Sequence, residues 1–83
     1  MNATIAEEIQ AEQKHGRAKY GKGPDDLAHD DQVHPDTWAF VISDHLKRSV
    51  ESTPMDRRQH LIKIAGLAVS AVEAFDRKRE AST

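Results

Sequence analysis

Apolar residues in this chain fall into three runs with helical spacing, separated by polar stretches that carry glycine and proline. The richest run holds Leu61, Ile64, Ala65, Ala68, Val72 and Phe75. Before it, Trp38, Val41, Ile42, His45, Leu46, Ser49 and Val50 follow the i, i+3, i+4, i+7 template of one helix face. The first run is thin: Ile5, Ile9, then alanines and Tyr20.

Local signals bound the predicted helices. Thr4 with Glu7 has the capping-box pattern. Glu7 and Glu8 suit the positive end of a helix dipole, and Lys14, Arg17 and Lys19 the negative end. Gly21 and Gly23-Pro24 then stop a helix over about 5–20. Gly16 inside it costs about 1 kcal/mol relative to Ala and marks a point where the helix can break. Residues 22–35 read as a loop, from the turn chemistry of Gly-Pro-Asp-Asp and His-Asp-Asp. Asp36, following Pro35, predicts an N-cap for a helix over about 37–51. Thr53 as N-cap with Pro54 in the first helical position predicts a third helix over about 54–79. Its charged tail, Asp76–Thr83, is expected to fray.

These elements predict a single all-α domain over 1–83: a helix, a long loop and a helical hairpin. Gly66, Ser70 and Ala74 form a ridge of small residues at i, i+4 spacing, which admits another helix closely. Two short helices cannot cover the apolar surface between Leu61 and Phe75. A homo-oligomeric bundle is therefore expected, with the helix around that ridge at its centre.

Composition narrows the field of functions. The chain has 83 residues, 37 % of them hydrophobic and 31 % charged, and no cysteine, which excludes disulfides, thiolate metal sites and a thiol nucleophile. No apolar run is long enough to span a membrane, and the N-terminus has neither the basic nor the apolar region of a signal peptide, so a cytoplasmic location is expected. A formal net charge of −2 argues against a general nucleic-acid binder. The distribution of charge says more. Asp25, Asp26, Asp30, Asp31 and Asp36 fall in a stretch without Lys or Arg, whereas Lys47, Arg48, Arg57, Arg58 and Lys63 face only Glu51 and Asp56.

Arg57 and Arg58 stand in the first turns of the third helix, where cations oppose the dipole unless an anion is bound. Lys47 and Arg48 end the preceding helix, so four cations can gather on a phosphate; a solvated turn paired with Glu51 and Asp56 is the competing reading. Lys19, Tyr20 and Lys22, among glycines, can offer a stacking ring with phosphate-binding amines, and Trp38 offers a second ring. Both aromatics also read as packing residues. Asp44, His45 and His60 can supply N/N/O metal ligands, but without a repeated spacing they read equally as core-edge residues. The acidic loop lacks the alternation and the central glycine of a calcium loop. No serine, threonine or lysine has an evident activating partner, so no covalent catalysis is expected.

Lys-Tyr-Gly, His-Pro-Asp with Trp38, and the run Leu-Ile-Lys-Ile-Ala-Gly-Leu-Ala-Val-Ser-Ala-Val-Glu-Ala-Phe-Asp-Arg resemble the small phage-borne MazG-like nucleotide pyrophosphohydrolases over about 5–77. The resemblance implies an all-α, oligomeric fold and a nucleotide pocket. Members of that family cleave nucleoside triphosphates with Mg²⁺ held by two acidic motifs. Laid on this chain, Glu-Glu-x-x-Glu falls on Asp44, His45 and Arg48, and Glu-x-x-Asp falls near His60 and Lys63, so one acid stands where five would. Metal-assisted phosphoryl chemistry depends on those charges. The expectation is a phage protein that binds a nucleotide or a cyclic oligonucleotide without hydrolysing it and without a cofactor, as a counter-defence sponge. Lys19, Tyr20, Lys22, Trp38, Lys47, Arg48, Arg57 and Arg58 are its candidate ligand contacts. The alternatives are a working Mg²⁺-dependent pyrophosphohydrolase that draws acids from 25–36 and Asp44, and a small inhibitor that docks on a host protein complex.

Overall fold

The computed structural model describes residues 4–81, which form four α-helices: α1 (Ile5–Tyr20), α2 (Leu27–Gln32), α3 (Pro35–Val50) and α4 (Pro54–Ala81). Thr4 Oγ1 accepts from the Glu7 amide at 3.1 Å, as the capping box requires, and the Gly21 amide closes α1 onto the Arg17 carbonyl at 2.8 Å. Gly16 does not break the helix.

Three boundaries differ from expectation. The 22–35 segment contains α2, capped by Asp26, whose Oδ1 accepts from the His29 amide at 3.2 Å. Six residues are too few for an apolar period to register. The N-cap of α3 is His34, not Asp36. Proline disfavours helical geometry in the residue before it, so His34 stays extended, Pro35 takes the first helical position, and His34 Nδ1 accepts from the Asp36 amide at 3.1 Å. α4 does not fray from Asp76 but continues to Ala81; residues 82 and 83 of the expected tail lie outside the described part.

α3 and α4 form an antiparallel hairpin joined by a turn of three residues, 51–53. α1 packs on a neighbouring face of α4, and α2 packs against α1 and α4; α1 and α3 both pack on α4 without packing on each other. The small-residue ridge is what lets α1 in. A Cβ at Gly66 would stand 3.2 Å from Glu12 Cβ and 3.5 Å from the Ile9 carbonyl, and Ser70 Oγ accepts from Gln13 Nε2 at 3.0 Å. Gly66 and Ser70, expected to meet a second subunit, are thus engaged within the chain.

The core is small. Ala74 is the one buried hydrophobic residue among the described residues, and Arg17, Asp30, Ser49 and Ser70 are buried polar ones. Phe40, Val50, Met55, Leu61, Val72 and Phe75 are all exposed.

Candidate functional site

Because α1 and α3 stand apart on α4, a cleft of about 580 Å³ opens between them. α4 floors it with Lys63, Gly66, Leu67 and Ser70. α3 walls it with Thr37, Trp38, Val41, Asp44, His45 and Arg48, and α1 faces these with Glu12, His15, Arg17, Lys19 and Tyr20. His29, Asp30 and Val33 of the α2 region close one end. The volume lies in the range of small-molecule sites.

Of the predicted ligand contacts, Lys19, Tyr20, Trp38 and Arg48 line this cleft. Tyr20 is largely exposed at its rim, with Lys19 Nζ 5.2 Å from the ring centroid. Lys22, Lys47, Arg57 and Arg58 are not in its lining. The hairpin-turn cations are not gathered on one point, because each arginine has a nearer acceptor. Arg57 Nε donates to the Ser49 carbonyl at 3.0 Å, at the end of α3 where helix carbonyls lack internal partners. Arg58 makes a two-pronged pair with Glu8 of α1, at 2.9 and 2.7 Å, which holds the Glu8 carboxyl below its usual pKa. Arg48 reaches back one turn to Asp44, at 3.0 Å.

That last pair also bears on the metal candidates. Asp44 is engaged by Arg48 rather than standing free beside the histidines. His45 and His60 lie with ring centroids 5.7 Å apart, and the Nδ1 of each is buried without a hydrogen-bond partner. Among the described residues, no group of three or more His, Asp or Glu side chains is placed to hold a metal ion. His45 is held below the usual histidine pKa, first by burial, then by electrostatic repulsion from Lys63, His60 and Arg48.

The acidic stretch, expected as a solvated loop, is largely paired. Asp26 caps α2 and also accepts from the Lys22 amide at 2.8 Å, which lowers its pKa. Asp30 takes Arg17 at 3.1 Å, and Asp31 takes Arg77 Nε at 2.9 Å. Once the Arg17–Asp30 and Arg48–Asp44 pairs are set aside, Lys19 and Lys63 face Glu12 alone, with three histidines around them. The electrostatic balance of the cleft favours an anion.

Lys63, absent from the predicted contacts, also lines the cleft. Its signal was there: a lone cation interrupting Leu61–Phe75, a stretch otherwise apolar or small up to Glu73. Arg17 and Asp30 gave no such signal, since their meeting depends on the placement of α2. Among the described residues no helix is long and apolar enough to cross a membrane. Compared with known protein families, curated proteins and solved structures, the chain has no match in any of the three.

Proposed function

We propose that the cleft between α1 and α3 binds a nucleotide-type anion and holds it intact. The observation that carries this reading is the meeting of Arg48 and Lys63 in one cleft with the rings of Trp38 and Tyr20. Guanidinium and ammonium groups hold phosphate through charge-assisted hydrogen bonds, and an indole or phenol offers a base a stacking face. On the resemblance to MazG-like enzymes, Arg48 and Lys63 occupy positions that carry metal-binding acids there. Fixed cations would then take the place of carboxylate-bound Mg²⁺ and neutralise the phosphates directly. The loss of the acids that hold Mg²⁺ in those enzymes supports a bound molecule that leaves unchanged. A protein of this kind acts by lowering the free concentration of its ligand, as a sponge for a nucleotide or cyclic oligonucleotide signal would.

Native mass spectrometry and calorimetry with a pool of nucleoside triphosphates and cyclic di- and trinucleotides test this, each run with Mg²⁺ and with a chelator. Binding of an intact nucleotide at fixed stoichiometry is expected, retained in the chelator and weakened about tenfold or more by Lys63→Glu. Mg²⁺-dependent release of pyrophosphate would overturn the reading in favour of the hydrolase. Absence of any bound nucleotide would overturn it in favour of a docking inhibitor.

A further inference from the structure

We propose that His45 is a further contact of the bound anion, acting as a neutral imidazole whose Nε2–H donates to a phosphoryl oxygen. The inference rests on the nucleotide reading of the cleft for the identity of the acceptor, while the state of the ring follows from its surroundings alone.

A neutral histidine has one N–H and one lone pair, and the partners of the two nitrogens decide which carries which. His45 Nδ1 is buried and meets no partner. Buried N–H groups are rarely left without an acceptor, so Nδ1 keeps the lone pair and the proton sits on Nε2. Nε2, at the far edge of the ring, is not shut off in that way. Since the ring lines the cleft, its N–H opens there.

A second proton is disfavoured from every element around the ring. It would have to sit on the buried Nδ1, where nothing accepts it. On α4, His60 stands 5.7 Å away ring to ring, with its own Nδ1 buried and unpaired. Lys63 of α4 and Arg48 of α3 repel the proton, and Asp44, which would attract it, is held by Arg48 at 3.0 Å. α1 brings Glu12 and His15 to the opposite wall, and α2 brings His29 and Asp30, the latter held by Arg17.

The same neighbours place the acceptor. Arg48 follows His45 by three positions and so shares its helix face, and Lys63 acts on the ring from α4. An anion gripped by both cations lies beside the Nε2–H. The cations attract it from any direction, whereas the imidazole adds a directed hydrogen bond without further charge. Neutral imidazoles of depressed basicity meet substrate oxygens in this way in other proteins.

Long-range proton–nitrogen NMR spectra of histidine-labelled protein at about pH 7 read the tautomer directly. His45 is expected as Nε2–H. His29 is an internal control: its Nδ1 lies 3.3 Å from Asp30 Oδ1, so it is expected to be protonated at Nδ1. Inorganic pyrophosphate, titrated with a chelator present, is expected to shift the Nε2 resonance of His45 and leave the ring neutral. His45→Leu should weaken pyrophosphate binding about three- to tenfold. His45→Gln, whose amide N–H reaches a similar point without titrating, should keep affinity within about twofold. A His45 ring protonated at Nδ1, a charged ring in the complex, or unchanged affinity in His45→Leu would each overturn the proposal and leave the anion site standing. Pyrophosphate bound by none of the three proteins would overturn the nucleotide reading, and the contact with it, whatever the tautomer.

Discussion

Arg17 of α1 and Asp30 of α2 meet at 3.1 Å with side-chain exposures of only 10 and 5 %. Arg17 Nε also donates to the Pro24 carbonyl at 2.6 Å, and His29 Nδ1 lies 3.3 Å from the second oxygen of Asp30. The pair thus folds 21–26 back over the end of α1 and fixes the closed end of the cleft. Removing one partner leaves the other charge buried. Arg17→Ala is therefore expected to cost about 3–5 kcal/mol in urea unfolding, a large share of what so small a domain has. The double change Arg17→Met with Asp30→Leu is expected to recover most of that loss. Equal losses in single and double variants would mean that packing, not the stranded charge, sets the cost.

A glycine within α1 and the glycine that caps it predict opposite signs. Nothing lies within 4 Å of a Cβ at Gly16, so Gly16→Ala gains helix propensity of about 1 kcal/mol and is expected to raise the melting temperature by about 4–8 °C. A Cβ at Gly21 would stand 2.7 Å from Asp26 Oδ2 and 2.8 Å from the Arg17 carbonyl. The second contact is backbone and cannot turn aside, so Gly21→Ala is expected to lower the melting temperature, at a cost of about 1–3 kcal/mol. Thermal melts of the two variants decide both.

Stability should fall with acidification through the histidine range. Burial and then Lys63, His60 and Arg48 lower the pKa of His45 from its usual 6.5. The folded chain thus binds that proton less readily than the unfolded chain, and the sign follows from linkage. The contribution of His45 is fully present above about pH 6.5 and is lost as pH falls below it. Melting temperatures recorded from about pH 8 to pH 5 are expected to decline, and His45→Gln should flatten the decline. A slope unchanged in that variant would assign the effect to another group.

Arg58 and Lys63 lie five positions apart on α4 and should separate folding from binding. Arg58→Glu breaks the link to Glu8 and sets two acids face to face, so the melting temperature should drop while cleft affinity stays. Lys63→Glu should remove nucleotide binding by about tenfold or more and leave the melt nearly unchanged. Calorimetry beside thermal melts of each variant reads both. Loss of binding in Arg58→Glu at a temperature where it is folded would move the site to the hairpin turn.

The three long helices were legible because their signals are local: Thr4 with Glu7, Thr53 with Pro54, and apolar periods long enough to count. Pro35 was legible too, yet its effect falls on the residue before it, and His34 rather than Asp36 took the cap. α2 was hidden because six residues carry less than two full turns of pattern. The candidate site was half legible. Lys19, Tyr20, Trp38 and Arg48 share a cleft because α1 and α3 both rest on α4, a relation no spacing in the chain encodes. Arg57 and Arg58 read in the sequence either as phosphate contacts or as partners of Glu51 and Asp56, because their acceptors, a helix-end carbonyl and a side chain 50 residues away, exist only in the fold.

The spread of contacts along the chain also sets an order of assembly. α3 and α4 are joined by three residues, whereas Gln13 and Ser70 bond across 57 positions. Closing the longer loop costs more chain entropy, so the hairpin is the early event of folding and the docking of α1 the late one. The cleft comes into being only at that last step. Trp38, the single tryptophan, lines it and also lies beside Ala71 and Phe75 of α4, so its fluorescence responds first to the zipping of the hairpin and again to the closing of the N-terminal arm.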